Sequence, residues 1–484
     1  MDGDGSRVRA AGGIATGGAA RRRLTAPAPG EPTGPPPYEP PVTPREILGA
    51  RGRAVLWVGL YLVATLSPLA VMAVRAPEGR SFWTELSVAA GFVGMAMLAV
   101  QFLITARFRR ISAPYGIDVI LRMHREVSLL AVVLLVAHPI VLFIERPETR
   151  SLLNPVEAPW RARMAVAALL LLVVIVVSSL WRQRLRLGYE TWRLVHGILA
   201  VGVLALALGH ALGVGHYLDL PWKRALWLVL VGLVVASILW TRVVKPALMW
   251  RRPWRVSEVR RERGDSWTLV LEPEGHRGMR FRAGQFAWLT VGDSPYGLRE
   301  HPFSFSSSAR HPERVEMTIK EAGDFTTTVG EIAPGTRAYL DGPRGVFIRE
   351  RHGWASGYVL IAGGIGVTPI MSILRSLADE GDRRPHVLVY AVSDLEAATF
   401  REEIEELAGR LDLRVVMVPQ EAPEGWDGPS GFVDREILQE AVGEPRGRRF
   451  FICGPPPMME AARGALLEMG VPAAGIEMEQ FELV

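Results

Sequence analysis

Between residues 53 and 245 the chain carries six long apolar segments in succession, at about 53–74, 83–105, 117–144, 160–181, 190–213 and 222–244. Each reaches the roughly 20 residues that a helix needs to cross the hydrocarbon core of a bilayer. Backbone inside lipid must satisfy its own hydrogen bonds, so these segments predict six membrane-spanning helices. The basic residues give the bundle a direction. Arg107, Arg109 and Arg110 precede the third segment, Arg182, Arg184 and Arg186 precede the fifth, and Lys245, Arg251, Arg252 and Arg255 follow the sixth. The preference of basic loops for the cytoplasmic side places these ends, and both termini, in the cytoplasm of a multi-pass protein of the plasma membrane, in contact with its lipid. The opposite loops hold Arg75, Arg80, Arg146, Arg150, Arg161, Arg163, Lys223 and Arg224, so the bias is modest. Residues 1–45, rich in Gly, Pro and Ala with one basic cluster at Arg21–Arg23, lack the apolar content to order themselves and are expected to form a disordered cytoplasmic tail.

Within residues 46–245, four histidines stand in two pairs of equal spacing. His124 and His138 share the third segment, His196 and His210 the fifth, and each pair is fourteen residues apart. Fourteen helical residues turn through ~1400°, close to four full turns, so both members face one side, ~21 Å apart along the axis. The two segments run in the same direction, which sets His124 against His196 near the inner leaflet and His138 against His210 near the outer one. A lone histidine in a membrane helix also serves as a hydrogen-bonding link between helices. The repeated interval on two helices favours paired ligands. Neutral imidazole binds haem iron in a low-dielectric setting, which predicts two b-type haems stacked across the membrane. The single cysteine, Cys453, excludes intramolecular disulfides, all-thiolate zinc sites and self-contained iron-sulfur clusters. A net charge of +5, with the arginines bordering membrane segments, does not call for a nucleic acid partner.

The pattern changes after residue 245. Alternating runs such as WRVSEV, WTLVLEP and FAWLTV read as strands of a small antiparallel barrel over residues 246–350. Residues 351–484 alternate buried strands (YVLIAG, HVLVYAV, RVVMV, RFFICG) with helical stretches, the pattern of a parallel α/β nucleotide-binding domain. In GGIGVTP, Gly363, Gly364 and Gly366 permit close approach of a pyrophosphate, and Pro369 suits the first turn of the helix whose amide end would face the charge. A tight strand-to-helix turn with no ligand is the other account of the same residues.

Six short motifs then occur in order: AGQF at Ala283–Phe286, HPFSFSSS at His301–Ser308, GDFT at Gly323–Thr326, DGPRG at Asp341–Gly345, GGIGVTP at Gly363–Pro369 and CGPPPMM at Cys453–Met459. This set resembles flavin reductases of the ferredoxin-NADP reductase type. With six helices and paired histidines in front, everything after the tail resembles the NADPH oxidase and ferric reductase superfamily in a prokaryotic-like single-chain form. The resemblance implies FAD on the barrel, with Phe303 against the flavin ring, Ser304 near its reactive nitrogen, His301 by the pyrophosphate, Pro302 among the cofactor-binding residues, and Gly323, Phe325 and Thr326 in the FAD phosphate loop. It implies that Gly363, Gly364, Gly366 and Thr368 hold the pyrophosphate of NADH or NADPH, that Cys453, Gly454 and Pro455 border the nicotinamide, and that Phe481 covers the flavin face.

A nicotinamide delivers two electrons together and a haem iron accepts one, so a flavin between them is the chemically required intermediary. The implied activity is a transmembrane oxidoreductase passing electrons from cytoplasmic NAD(P)H through FAD, the inner pair and the outer pair to dioxygen, giving superoxide, or to a ferric chelate. Oxygen-reducing relatives commonly carry a further histidine one turn past the outer ligand of the third helix, where this chain has Leu142; His216 and Arg80 are loop residues that could take its place. An electron-transfer module that reduces a separate extracytoplasmic protein is the alternative. After HVLVYAV the chain has Ser393 and Asp394; an acidic group there repels a 2′-phosphate and favours NADH, with Arg401 acting the other way.

Overall fold

The computed structural model describes residues 44–74, 80–106, 108, 117–297, 299–351 and 355–480. The expected tail lies outside these residues except for Pro44 and Arg45, and so do Arg75, Arg107, Arg109, Arg110 and Phe481.

Six helices long and apolar enough to span a membrane are present among the described residues. They are α1 (Pro44–Ala73), α2 (Phe82–Thr105), α3 (Ile117–Glu145), α4 (Trp160–Leu180), α5 (Tyr189–Val214) and α6 (Pro221–Leu239). Local chemistry fixes several ends. Ser81 caps α2 by accepting from the Thr84 amide at 3.3 Å. Pro221 opens α6, where its missing N–H costs nothing. Gly215 closes α5 in the left-handed conformation, with φ of 69°. The sixth helix outruns its apolar segment. It passes through a π-helical turn (Trp240–Val244) into α7 (Lys245–Trp250). Pro246 supplies the reason, since a proline inside a helix clashes with the preceding turn and the ladder widens to accommodate it.

The bundle is apolar on its outside: Leu130, Val133, Leu170, Ile198 and Leu228 are exposed, as helices bathed in lipid tails should be. Its interior joins Phe92, Met95, Ala96, Leu204, Tyr217 and Trp227. Two antiparallel helix pairs carry the histidines. Helix α2 lies close against α3, where a Cβ on Gly94 would meet Leu135 Cγ at 2.8 Å, and α4 lies close against α5, where a Cβ on Gly209 would meet Met164 Cε at 2.3 Å.

Six strands follow: β1 (Trp254–Glu262), β2 (Ser266–Pro273), β3 (Phe286–Val291), β4 (His301–Ser304), β5 (Val315–Lys320) and β6 (Arg337–Arg344). They form a curled antiparallel sheet in the order β4-β3-β6-β1-β2-β5. One bridge between Phe305 and Met317 brings the two edges together. Alternate residues, among them Val256, Leu269, Leu271, Leu289 and Met317, fill its interior.

The last part is a parallel sheet in the order β11-β10-β7-β8-β9, built from β7 (Gly357–Gly363), β8 (His386–Val392), β9 (Leu413–Pro419), β10 (Arg448–Cys453) and β11 (Ile476–Glu479). Its helices are α8 (Val367–Asp379), α9 (Arg401–Arg410), α10 (Arg435–Val442) and α11 (Pro456–Glu468). Both faces of the sheet are covered, one by the cluster around Leu360, Ile370, Leu374 and Leu407, the other by that around Ile361, Leu438, Ala462 and Leu466. That burial explains why the strands read as continuous apolar runs.

Candidate metal and nucleotide sites

Both histidine pairs assemble as the spacing predicted. The ring centres of His124 and His196 are 6.4 Å apart, as are those of His138 and His210. Two imidazoles on opposite sides of one metal, with about 2.0 Å from Nε2 to the metal and about 1.1 Å from Nε2 to ring centre, place their centres about 6.2 Å apart. The histidine-bearing helices α3 and α5 barely approach each other's backbone, so the rings meet across a gap rather than a packed seam.

The second ring nitrogen decides which atom is left for a metal. His124 Nδ1–H donates to Gln101 Oε1 at 2.9 Å, and His138 Nδ1–H donates to the Ser87 carbonyl at 2.8 Å. Ser87 Oγ in turn donates to the His138 carbonyl at 2.7 Å, tying α2 to α3 beside His138. His210 Nδ1–H donates to the Arg161 carbonyl at 2.9 Å. Ser179 Oγ donates to the Ile175 carbonyl at 2.6 Å, so its lone pair faces His196 Nδ1–H at 3.3 Å. In every ring Nδ1 meets a protein acceptor and Nε2 is the nitrogen left for a ligand. Ser87, Gln101 and Ser179 were absent from the sequence reading. A signal existed, since Ser87 and Gln101 are fourteen residues apart, like the histidines they serve.

The bundle meets the barrel through charged and aromatic side chains. Lys245 pairs with Asp341, which also accepts from Arg344 Nη2 at 2.8 Å. Burial would raise the Asp341 pKa, but Arg344 and Lys245 outweigh it and hold the carboxylate below its usual range. Arg193 reaches Glu300 at 3.9 Å, and Trp192, one turn before His196, has its ring centre 5.1 Å from that imidazole. Arg122 and Arg125, beside His124, are exposed.

On the barrel, His301 stacks on Phe325 with centres 4.2 Å apart and planes 9° apart, and Phe303 lies 6.1 Å from Phe325. The strand motif and the GDFT loop therefore converge on one aromatic platform. Burial lowers the His301 pKa and keeps the ring neutral. Its Nε2 is shut off from solvent without a hydrogen-bond partner, a polar atom that a bound ligand would satisfy. Pro302 is half-buried, and Ser304 is buried at the end of β4, opposite Phe286. Thr326 Oγ1 accepts from the Ala322 and Gly323 amides, each at 2.8 Å. Its hydroxyl thus shapes the loop from within.

In the parallel domain the glycines divide their work. A Cβ on Gly366 would lie 2.3 Å from the Cys453 carbonyl oxygen, and one on Gly454 would lie 2.9 Å from Gly363 Cα. These three glycines allow two turns, at the ends of β7 and β10, to pack against each other. Gly364 differs: its φ is +52° and nothing lies within 4 Å of a Cβ there, so it alone of the three in GGIG faces open space. Thr368 Oγ1 donates to the Ile365 carbonyl at 3.0 Å, tightening the same turn. Cys453 is buried at the end of β10 in register with Ala362 and Glu479, and Pro455 caps α11. Asp394, just past β8, accepts from the Ala397 amide at 2.8 Å and from Ser393 Oγ at 3.0 Å; these bonds lower its pKa and keep it ionised.

The parallel domain is tied to the barrel by one face of α8. Ser372 Oγ donates to the Ser307 carbonyl at 2.7 Å, Ser376 Oγ accepts from the Ala309 amide at 2.9 Å, and Arg375 Nη1 donates to the Ser306 carbonyl at 2.7 Å. Arg375 also grips Glu403 with two bonds of 2.6 Å. Sequence gave no hint of this clamp, because its partners belong to different domains.

Comparison with known proteins agrees with this layout. Residues 90–207 match the family described as ferric reductase like transmembrane component, and residues 360–464 match the oxidoreductase NAD-binding domain. NADH-cytochrome b5 reductase 1 of Cryptococcus neoformans is 33% identical over 36% of this chain and 62% of its own length. The ferredoxin reductase component of 3-ketosteroid-9-alpha-monooxygenase from Mycolicibacterium smegmatis is 32% identical over 47% of this chain and 65% of its own length. The chain thus spans just under two thirds of these curated relatives. Among solved structures, the FAD/NAD binding domain of nitric oxide dioxygenase from Vibrio cholerae is 23% identical, covering 47% of this chain and 98% of that one, with a TM-score of 0.42. A ferric reductase-like membrane component followed by an oxidoreductase NAD-binding domain, with six apolar spans, matches the layout of the NADPH oxidase and ferric reductase superfamily.

Proposed function

We propose that this protein is a transmembrane oxidoreductase that moves electrons from cytoplasmic NAD(P)H, through FAD and two b-type haems, to an acceptor on the far side of the cell membrane, dioxygen or a ferric chelate. The observation that carries the reading is the pair of facing imidazole couples, each at the separation one shared metal requires, with every Nδ1 already engaged. On this reading residues 46–245 form the haem domain, 246–350 the FAD-binding barrel and 351–484 the NAD(P)H-binding domain, both of the latter cytoplasmic.

When bound, FAD converts a two-electron hydride donation into the single-electron steps that haem iron passes on. The protein's own residues hold and orient. His124 and His196 would hold the inner haem through their free Nε2 atoms, His138 and His210 the outer one, and Arg193 would meet carboxylates of the inner group. His301, Phe303 and Phe325 form the platform against which an isoalloxazine or its ribityl chain would rest, with Ser304 behind it. Gly364 leaves room for a pyrophosphate at the start of α8, while Cys453, Gly454 and Pro455 wall the position of the nicotinamide. The ionised Asp394 repels a 2′-phosphate, which favours NADH.

The test is anaerobic addition of NADH to the purified protein with haem absorption followed continuously. Both haems should become reduced, and admission of air or ferric citrate should reoxidise them. Superoxide dismutase-sensitive dye reduction identifies dioxygen as the acceptor. Haem that NADH leaves oxidised contradicts the reading, and reduced haem that persists with both acceptors transfers support to a protein partner outside.

A further inference from the structure

Helix α2 supplies no candidate ligand, yet it holds both imidazoles of α3. Its polar residues Ser87 and Gln101 face His138 and His124 in antiparallel register. The fit is tight: a Cβ on Gly91 would touch the His138 ring at 3.2 Å, and one on Gly94 the Ala131 carbonyl at 3.1 Å. The two ends of this arrangement are chemically unequal. At the outer site the acceptors of Nδ1–H include backbone carbonyls on both sides, those of Ser87 and Arg161. At the inner site both acceptors are side chains, Gln101 Oε1 at 2.9 Å and Ser179 Oγ at 3.3 Å.

Gln101 is the more telling of the two. It is only 4% exposed, and a buried carboxamide in a membrane helix is costly unless paired. It makes the bond to His124, while its own Nε2 has no hydrogen-bond partner. A buried donor left unsatisfied is destabilising, so packing of α2 alone would be better served by Leu or Met. What Gln provides, and those do not, is an acceptor for Nδ1–H. A stronger acceptor there raises the basicity of Nε2 and stabilises the oxidised metal it binds.

We propose that Gln101 is a positioning residue that fixes the His124 tautomer and holds down the reduction potential of the inner haem, independently of the outer one. The inference rests on the reading that His124 and His196 carry a haem. Its effect is to keep the inner haem a ready donor to the outer haem, so that electrons do not rest on the cytoplasmic side.

The test is an anaerobic spectroelectrochemical titration of the full-length protein, with flavin and haem content measured beforehand. The inner wave is identified as the one retained in His138→Leu protein. Gln101→Leu should raise the inner midpoint by about a tenfold change in its reduction equilibrium, about 59 mV for one electron, and leave the outer wave in place. Gln101→Met, closer in length, should do the same, whereas Gln101→Glu, which keeps an acceptor oxygen at the same reach, should show no upward shift. Inner waves unmoved in both Leu and Met variants that retain two haems overturn the inference, and so does an equal shift of both waves. A wild-type protein that holds no haem overturns the function proposed above instead, so the two failures are distinguishable.

Discussion

In the bundle, Leu130, Val133, Ile198 and Leu228 face outward, while imidazoles, a carboxamide and serine hydroxyls meet inside; in the reductase half, Leu360, Leu374 and Phe450 are buried and arginine and glutamate side chains cover the outside. The inversion changes where function can be read. Against a lipid-facing background every internal polar side chain needs a reason, so His124 and His210 announce themselves. In the reductase half polar side chains are ordinary. The ligand positions proposed for it lie in backbone turns and in side chains that sequence cannot distinguish from packing residues.

The sharpest break between the halves should come from the histidines. His138→Leu should remove one haem and leave the reductase half folded, so NADH-driven reduction of a soluble dye such as ferricyanide continues while reduction of the external acceptor is lost. If dye reduction disappears together with the haem, the two halves are not functionally separable. Next in size is Arg375→Met, which leaves Glu403, Glu316 and the Ser306 carbonyl without their shared partner. Breaking such a buried pair should cost about 3 kcal/mol, visible as a lowered thermal midpoint of flavin release with haem absorption unchanged.

The glycines sharpen the same contrast within the reductase half. Gly366→Ala forces a Cβ toward the Cys453 carbonyl, which lies 2.3 Å away, and overpacking of this kind costs about 1–3 kcal/mol. Gly364→Ala meets no neighbour, only a left-handed backbone that costs about 1–2 kcal/mol. Gly366→Ala should therefore mainly destabilise the domain, and Gly364→Ala should raise the Michaelis constant for NADH more than it lowers the melting temperature.

The smallest effect is a pH dependence confined to the reductase half. Burial lowers the pKa of His386 and of His301 in the folded protein below 6.5. Each ring then takes up its proton more readily when unfolded, so stability is full above pH ~6.5 and falls as pH drops below it, by at most about 1.4 kcal/mol per pH unit for each ring. Asp382, its folded pKa brought down to about 2 by Arg384 bonds that outweigh its burial, adds a second loss only at still lower pH. Thermal melts from pH 7.5 to 5 check the first step; a midpoint that does not fall contradicts it.

Much of the architecture was legible. The six spans, the ladder HVLVYAV and the barrel strands followed from apolar length and alternation, and the histidine pairs from a four-turn interval. Other features were hidden for identifiable reasons. The sixth helix runs on to Trp250 because a π-turn absorbs Pro246, an adjustment that no apolar window detects. Gln101 and Ser87 were overlooked although their interval repeats that of the histidines, because single polar residues in α2 did not stand out until α3 was placed beside it. GGIG pointed to a phosphate turn, but only packing against Gly454 separated Gly363 and Gly366 from Gly364. Arg375 joins parts of the chain far apart in sequence, and Phe481 lies outside the described residues.

Whether the bundle holds two metals between its two imidazole pairs is decided by the haem-to-flavin ratio of the purified full-length protein, taken with its ferric low-spin spectrum. Two facing imidazole pairs should give about two haems per flavin, both six-coordinate and bis-imidazole. A protein that binds flavin but no haem, or a single five-coordinate haem, would contradict it.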